Sequence, residues 1–279
     1  MKVTYLGTTV LLFDDGEDQI MFDAHVTRPS MLKFAFGKIS TDRHMADSLI
    51  ERFGISRLKA IFISHTHHDH VMDAPYFSNH CGADIYGSPS ALNVARGGNV
   101  PEERLHSYDE QSSYRIGNYE ITVIPSKHSK TSWYNDDLGE TIDASLIQPA
   151  GRKEYKEGGS FDFMVKNSGR TYLIRPSFNY IAGQFDGIAA DTLFLGTAGL
   201  TKEDEETRER FFAETIDKVR PDLVIPIHWD NFFRSLSKTV KGMPFFIENT
   251  EKSLSILKSE CRKRGIKYFV QKPLETMEI

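Results

Sequence analysis

The run His65-Thr66-His67-His68-Asp69-His70 constrains this chain more than any other feature. A neutral imidazole offers a lone pair at physiological pH and a carboxylate adds charge neutralisation, so histidine and aspartate are natural metal ligands. Within six residues His65, His67, Asp69 and His70 supply four such groups, enough to serve two adjacent ions. The run directly follows residues 59–64 (KAIFIS), a β-branched and aromatic stretch that reads as a strand buried on both faces. Loops after the carboxyl ends of such strands are where ligand sites gather, which favours a metal-binding loop over a solvated one that happens to be histidine-rich.

The surrounding pattern is that of strands with interspersed helices. Residues 3–6, 10–13 and 19–22 read as an opening β-meander, joined by Gly7-Thr8 and by Asp14-Asp15-Gly16. Asp42 can cap a helix to about Phe53, which Gly54 ends. Beyond the histidine run the pattern predicts a helix over 71–79, a strand over 83–86 and a helix over 88–96. A hairpin of 112–116 with 119–124 turns at Gly117-Asn118, and a long loop covers 125–143. Strands are expected over 144–148, 161–165, 171–174 and 191–195.

Thr201 to Asp204 matches a capping signature for a helix to Arg220, with Phe211, Phe212, Ile216 and Val219 on its apolar face. A strand over 222–227, a helix over 250–264 and a strand over 267–270 finish the chain. Segments 60–70 and 223–232 each run a buried strand into a histidine, a loose internal echo. The class is α/β (α+β), and no linker divides residues 1–279 into more than one domain.

The spacing His65-x-His67-x-Asp69-His70 resembles the H-x-H-x-D-H signature of the metallo-β-lactamase superfamily, and the resemblance runs along most of the chain. The opening meander is similar to the family's own, which ends in an Asp, here Asp23. ITVIPSKHS resembles the segment that carries the next ligand, here His128, and DLVIPIHWDNF the segment that carries the last, here His228. The resemblance implies a four-layer αββα sandwich with metals in a cleft at one edge of its two sheets. It implies His65, His67 and His128 around one ion and Asp69, His70 and His228 around the other. Zn2+ leads on ligand type, as one ion or two, while Mn2+ or Fe2+ also suits a histidine and carboxylate set.

The implied reaction is hydrolysis of a small ester, lactone or phosphodiester by metal-activated hydroxide, with Asp69 orienting the nucleophile and relaying its proton. One departure stands out. Family members usually place a bridging Asp in the turn after the strand at 171–174, where this chain reads Arg175-Pro176-Ser177-Phe178-Asn179. Ser177 holds that position, and a neutral hydroxyl cannot draw two cations together as a carboxylate does. Asp186 is the candidate substitute. The alternative function is therefore a metal-binding member of the fold with a degenerate second site and little or no hydrolysis.

Other residues admit two readings each. Trp229 either walls the cleft or packs beside its strand, and Trp133 and Tyr134 either touch substrate or anchor the long loop. Residues 31–39 (MLKFAFGKI) form either a lid, able to meet an acyl chain, or a core-facing strand. His44, His80 and His106 lack spacing partners, whereas His25 lies near the expected active-site edge.

The net charge of −5 provides no field to gather phosphate backbones, so a small-molecule substrate is expected rather than nucleic acid. Cys81 and Cys261 form no disulfide or zinc-ribbon pattern. No signal-peptide pattern opens the chain and no segment reaches the roughly 18 apolar residues of a membrane span. A cytoplasmic protein is the expectation, and a homo-oligomer stays open.

Overall fold

The computed structural model describes residues 1–109, 112–130 and 136–279. Its strands are β1 (Lys2–Gly7), β2 (Val10–Asp14), β3 (Gln19–Phe22), β4 (Lys38–Ile39), β5 (Leu58–Phe62), β6 (Asp84–Gly87), β7 (Leu105–Ser107) and β8 (Ser113–Ile116). They continue as β9 (Tyr119–Ser126), β10 (Ala150–Gly151), β11 (Ser160–Asn167), β12 (Arg170–Arg175), β13 (Thr192–Gly196), β14 (Leu223–Ile227), β15 (Lys267–Tyr268) and β16 (Glu275–Glu278). The helices are α1 (Met31–Phe36), α2 (Arg43–Phe53), α3 (His68–Val71), α4 (Ala74–Cys81), α5 (Pro89–Gly97), α6 (Glu205–Phe212) and α7 (Thr250–Lys263).

Two seven-stranded sheets run β16-β1-β2-β3-β5-β6-β7 and β15-β14-β13-β12-β11-β9-β8. Side chains alternate across each strand, so the two faces of a sheet need two partners. On β2, Leu11 and Phe13 turn to the opposite sheet, while Val10 and Leu12 join Leu49, Phe77 and Leu92 of α2, α4 and α5. On β12, Tyr172 and Ile174 face the other sheet and Leu173 meets Phe211 and Leu257 of α6 and α7. The result is the expected αββα sandwich. Aromatic rings knit its centre, with Phe13 at 5.5 Å from Tyr172 and 5.8 Å from Phe194 across the sheets.

Several boundaries match local chemistry. Asp42 caps α2 by accepting from Met45 N, and Gly54 ends it at φ 57°, where a left-handed turn suits glycine. Elsewhere the structure differs from the sequence pattern. Residues 144–148 form no strand; Leu146 is buried against α5 and Gln148 is spent on hydrogen bonds to Thr41 and Met72 O, so pairing starts only at β10.

Residues 31–39 are neither a core strand nor one element. Ser30 accepts from Lys33 N and starts α1, which buries no residue, and only Lys38 and Ile39 are extended. The expected helix over 71–79 is split into α3 and α4. The helix toward Arg220 is capped by Asp204, not Thr201, and passes into a π-helical turn at Ala213–Asp217.

Candidate metal centre

Parallel pairing of β3 with β5, and of β12, β13 and β14 with one another, brings their carboxyl ends to one edge of the sandwich. Asp23 follows β3, the histidine run follows β5, His128 follows β9, Ser177 follows β12 and His228 follows β14. Asp23 and His228 sit at φ 53° and 57°, a left-handed backbone that non-glycine residues rarely adopt, and both lie at this edge. Such conformations persist where surrounding contacts over-determine them. The His228 N–H donates to Thr8 O, and the Asp23 N–H to Phe62 O.

The edge gathers all six of the candidate ligands. His65, His67 and His128 form one group and Asp69, His70 and His228 another, with the ligand-type atoms of each group within 4.8 Å of one another. The ring centroids of His65 and His128, and of His67 and His128, are 4.7 Å apart. His65 and His70 lie at 3.7 Å, so the two groups adjoin. Asp69 Oδ2 is 3.4 Å from His228 Nε2 and 3.8 Å from His70 Nε2. Because α3 starts at His68, Asp69 and His70 project from a helical turn and not from the loop itself.

Each of four imidazoles has a ring nitrogen held by a neighbour. His70 Nδ1 is 2.7 Å from Asp23 Oδ2, and His65 Nδ1 is 3.2 Å from Ser64 Oγ. His128 Nδ1 is 2.7 Å from Ser129 O, and His67 Nε2 is 3.2 Å from both oxygens of Asp137. Such contacts fix tautomer and ring orientation, as metal-bound histidines require. The residues fit a metal on this structure's own terms: His65 Nε2 is buried with no hydrogen-bond partner, next to two further histidines. Burial pushes the His65 imidazole well down and His128 to about 3, so both present lone pairs at neutral pH. Burial alone would raise the Asp69 carboxyl, but His70, His68 and His228 hold it well below the usual carboxylate range.

The groups open into a pocket of about 170 Å³ with an apolar wall of Phe34, Phe232, Phe233, Met243 and Ile247. Arg152, Lys202 and Tyr155 also line it. Phe34 lies 4.5 Å from His68 and 5.2 Å from Phe233, which lays α1 against the pocket. Phe233, Met243 and Ile247 stand in no recognisable motif, and Asp137 comes from the long loop at 125–143. The paired Phe232-Phe233 just beyond His228 was the available signal.

Two expectations need correction and two fall outside the description. Trp229 is buried among inter-sheet core residues and is not part of the pocket lining, so it is a packing residue. Asp186 pairs with Lys218 on the surface and does not reach the groups, which leaves Ser177 on the lining with no carboxylate substitute from that loop. Trp133 and Tyr134 lie outside the described residues. His25 is fully buried beside His68 with neither ring nitrogen hydrogen-bonded, and is no member of either group.

Comparison with known proteins agrees with this architecture. A family model described as the β-lactamase superfamily domain matches residues 40–229. A metal-dependent hydrolase of Carboxydothermus hydrogenoformans is 21% identical over 232 residues, covering 83% of this chain and 86% of that protein. Among solved structures, Igni18, a metallo hydrolase from the archaeon Ignicoccus hospitalis, superimposes with a TM-score of 0.61 at 16% identity, covering 100% of this chain and 98% of that one. The metallo-β-lactamase fold protein YhfI from Bacillus subtilis gives 0.58 at 13% identity, covering 99% of each chain. By family model, fold and the grouping of its histidines, the chain belongs to the metallo-β-lactamase superfamily.

Proposed function

We propose that this chain is one metal-dependent hydrolase domain that acts in the cytoplasm on a small ester, lactone or phosphodiester, with His65, His67 and His128 holding a first ion and Asp69, His70 and His228 a second. The observation that carries the reading is the pair of adjoining three-residue groups in one pocket. Zinc is the favoured ion because imidazole nitrogens outnumber carboxylate oxygens in both groups. What a divalent ion supplies there is a nucleophile from water at neutral pH and stabilisation of the developing oxyanion.

The chain's own residues do the rest. Asp69 is ionised at neutral pH and lies between His70 and His228, placed to accept the proton of an attacking water and pass it to the leaving group. Lys202 and Arg152 supply positive charge at the pocket for an anionic or polar substrate group, and the phenylalanine wall takes its apolar part. No helix among the described residues is long and apolar enough to cross a membrane.

Asp69→Ala tests the assignment. Turnover of an ester or phosphodiester identified by panel screening should fall at least about a thousandfold with the fold intact. Near wild-type turnover would refute the role. A second reading, a metal-binding protein with little hydrolysis, is favoured by Ser177 on the pocket lining where the family carries its bridging Asp. Failure of the protein to hydrolyse any carboxyl or phosphate ester in excess zinc or manganese would select it.

A further inference from the structure

Two segments rim the pocket, and both combine exposed hydrophobic side chains with basic charge. Segment 29–41 contributes Phe34 to the wall, and segment 231–247 contributes Phe232, Phe233, Met243 and Ile247. On α1, Leu32 and Phe36 lie four residues apart on one face and are 74% and 88% exposed, while Phe34 packs inward on His68 and Phe233. At the turn between Met243 and Ile247, Phe245 and Phe246 are 80% and 77% exposed. Exposed large hydrophobics grouped around a cleft mark an interaction surface, whereas single ones need no explanation.

The charge of these segments is as skewed as their hydrophobicity. Across 29–41 and 231–247 the chain places Lys33, Lys38, Arg234, Lys238 and Lys241 and no Asp or Glu, although acids outnumber bases over the whole sequence. The four lysines are exposed and enter no ion pair among the described residues, and Arg234 donates to Thr239 O. The nearby acids are occupied elsewhere: Asp230 pairs with buried Arg28, Glu248 accepts from Thr201 and Ser253, and Asp42 caps α2.

We propose that this rim docks on an anionic lipid–water interface, with Leu32, Phe36, Phe245 and Phe246 entering the headgroup boundary and the lysines meeting lipid phosphates, so that the pocket mouth faces the bilayer. Apolar tips ringed by lysine are what such an interface recognises, and the two signals together give stable yet reversible attachment. The substrate that fits is an amphiphile whose polar group reaches the histidine groups while its apolar part lies along the phenylalanine wall. That last clause rests on the hydrolase reading; the docking does not.

Co-sedimentation tests the docking without any assay of activity. Metal-loaded protein is mixed with vesicles of phosphatidylcholine alone, or of phosphatidylcholine and phosphatidylglycerol in equal parts. Binding should be confined largely to the anionic vesicles and should fall as salt is raised. The combined variant Phe36→Ser, Phe245→Ser, Phe246→Ser should lose about tenfold or more in partitioning, and Lys33→Glu with Lys241→Glu should lose as much. Sedimentation velocity of the same proteins without lipid reads the competing occupant. No binding to either vesicle, binding that the variants leave unchanged, or a wild-type dimer that the variants dissolve without altering lipid binding would each overturn the proposal. If lipid binding holds and no ester is turned over, the docking stands and the hydrolase reading fails.

Discussion

Asp23 gathers more of the metal edge than any other single carboxylate outside the two groups, and Asp23→Asn is the perturbation whose outcome the structure specifies most fully. Its carboxylate accepts from Ser64 N at 2.7 Å, Ser64 Oγ at 2.8 Å and Thr9 Oγ1 at 2.5 Å, and meets His70 Nδ1 at 2.7 Å. Asparagine tolerates the left-handed backbone at this position and keeps one oxygen for Ser64 N, so the fold should survive. Its amide nitrogen, however, can only donate where Oδ2 accepted. His70 must then turn its Nδ1 lone pair to the amide and carry its proton on Nε2, the atom that faces Asp69. The lost charge-assisted bond is worth about 1.5–3 kcal/mol, which is about 10- to 100-fold in affinity for the ion at Asp69, His70 and His228. Calorimetric titration of chelator-stripped protein with zinc against a competing chelator should show the weaker constant move by that factor and the tighter one by less than about threefold. Equal weakening of both sites, or no change in either, would refute the reasoning that Asp23 acts through the His70 tautomer.

Other outcomes follow from the same geometry. Ser177→Asp restores a carboxylate on the pocket lining and should tighten the second ion by about tenfold or more in the same titration. Arg175→Ala strips the fully buried Asp162 carboxyl of its cationic partner, and should cost about 3–5 kcal/mol in urea unfolding. It should also disturb the first site, because Arg175 Nη2 donates to Asn179 O and Asn179 Nδ2 donates to His128 O. Burial pushes His128 down to about 3 and His68 to about 4, so the folded metal-free protein binds fewer protons than the unfolded chain below about pH 6.5. Its stability should therefore be full above that value and fall as pH drops toward 4, by up to about 1.4 kcal/mol per pH unit for each histidine. A denaturation midpoint that rises on acidification would contradict this sign.

The candidate ligands were legible in the sequence where their chemistry is local. Four of the six stand in one run, whereas His128 and His228 were named only by the resemblance of their segments to the family's, and the fold brings them to the same edge. The Asp42 cap is equally local, needing only a side-chain oxygen and an N–H three residues on. What the sequence hid depends on tertiary context. The segment at 144–148 alternates like a strand but is spent anchoring Gln148 and Leu146 to α5 and its neighbours. MLKFAFG reads as strand-like from its phenylalanines, yet the Ser30 cap and the Phe34 contact with His68 make it a helix. Asp137 is invisible because its partner His67 is 70 residues away, and Trp229, which the sequence leaves between cleft wall and packing, turns its side chain into the core.

Whether these histidines hold transition metal is read by elemental analysis of protein purified without added metal. At least one transition-metal ion per chain is expected, with zinc foremost, and a second ion is taken up when zinc is supplied. His65→Ala with His67→Ala should remove the tightly held ion. Protein that carries no transition metal and binds none when zinc is offered would show that the two histidine groups are not metal sites.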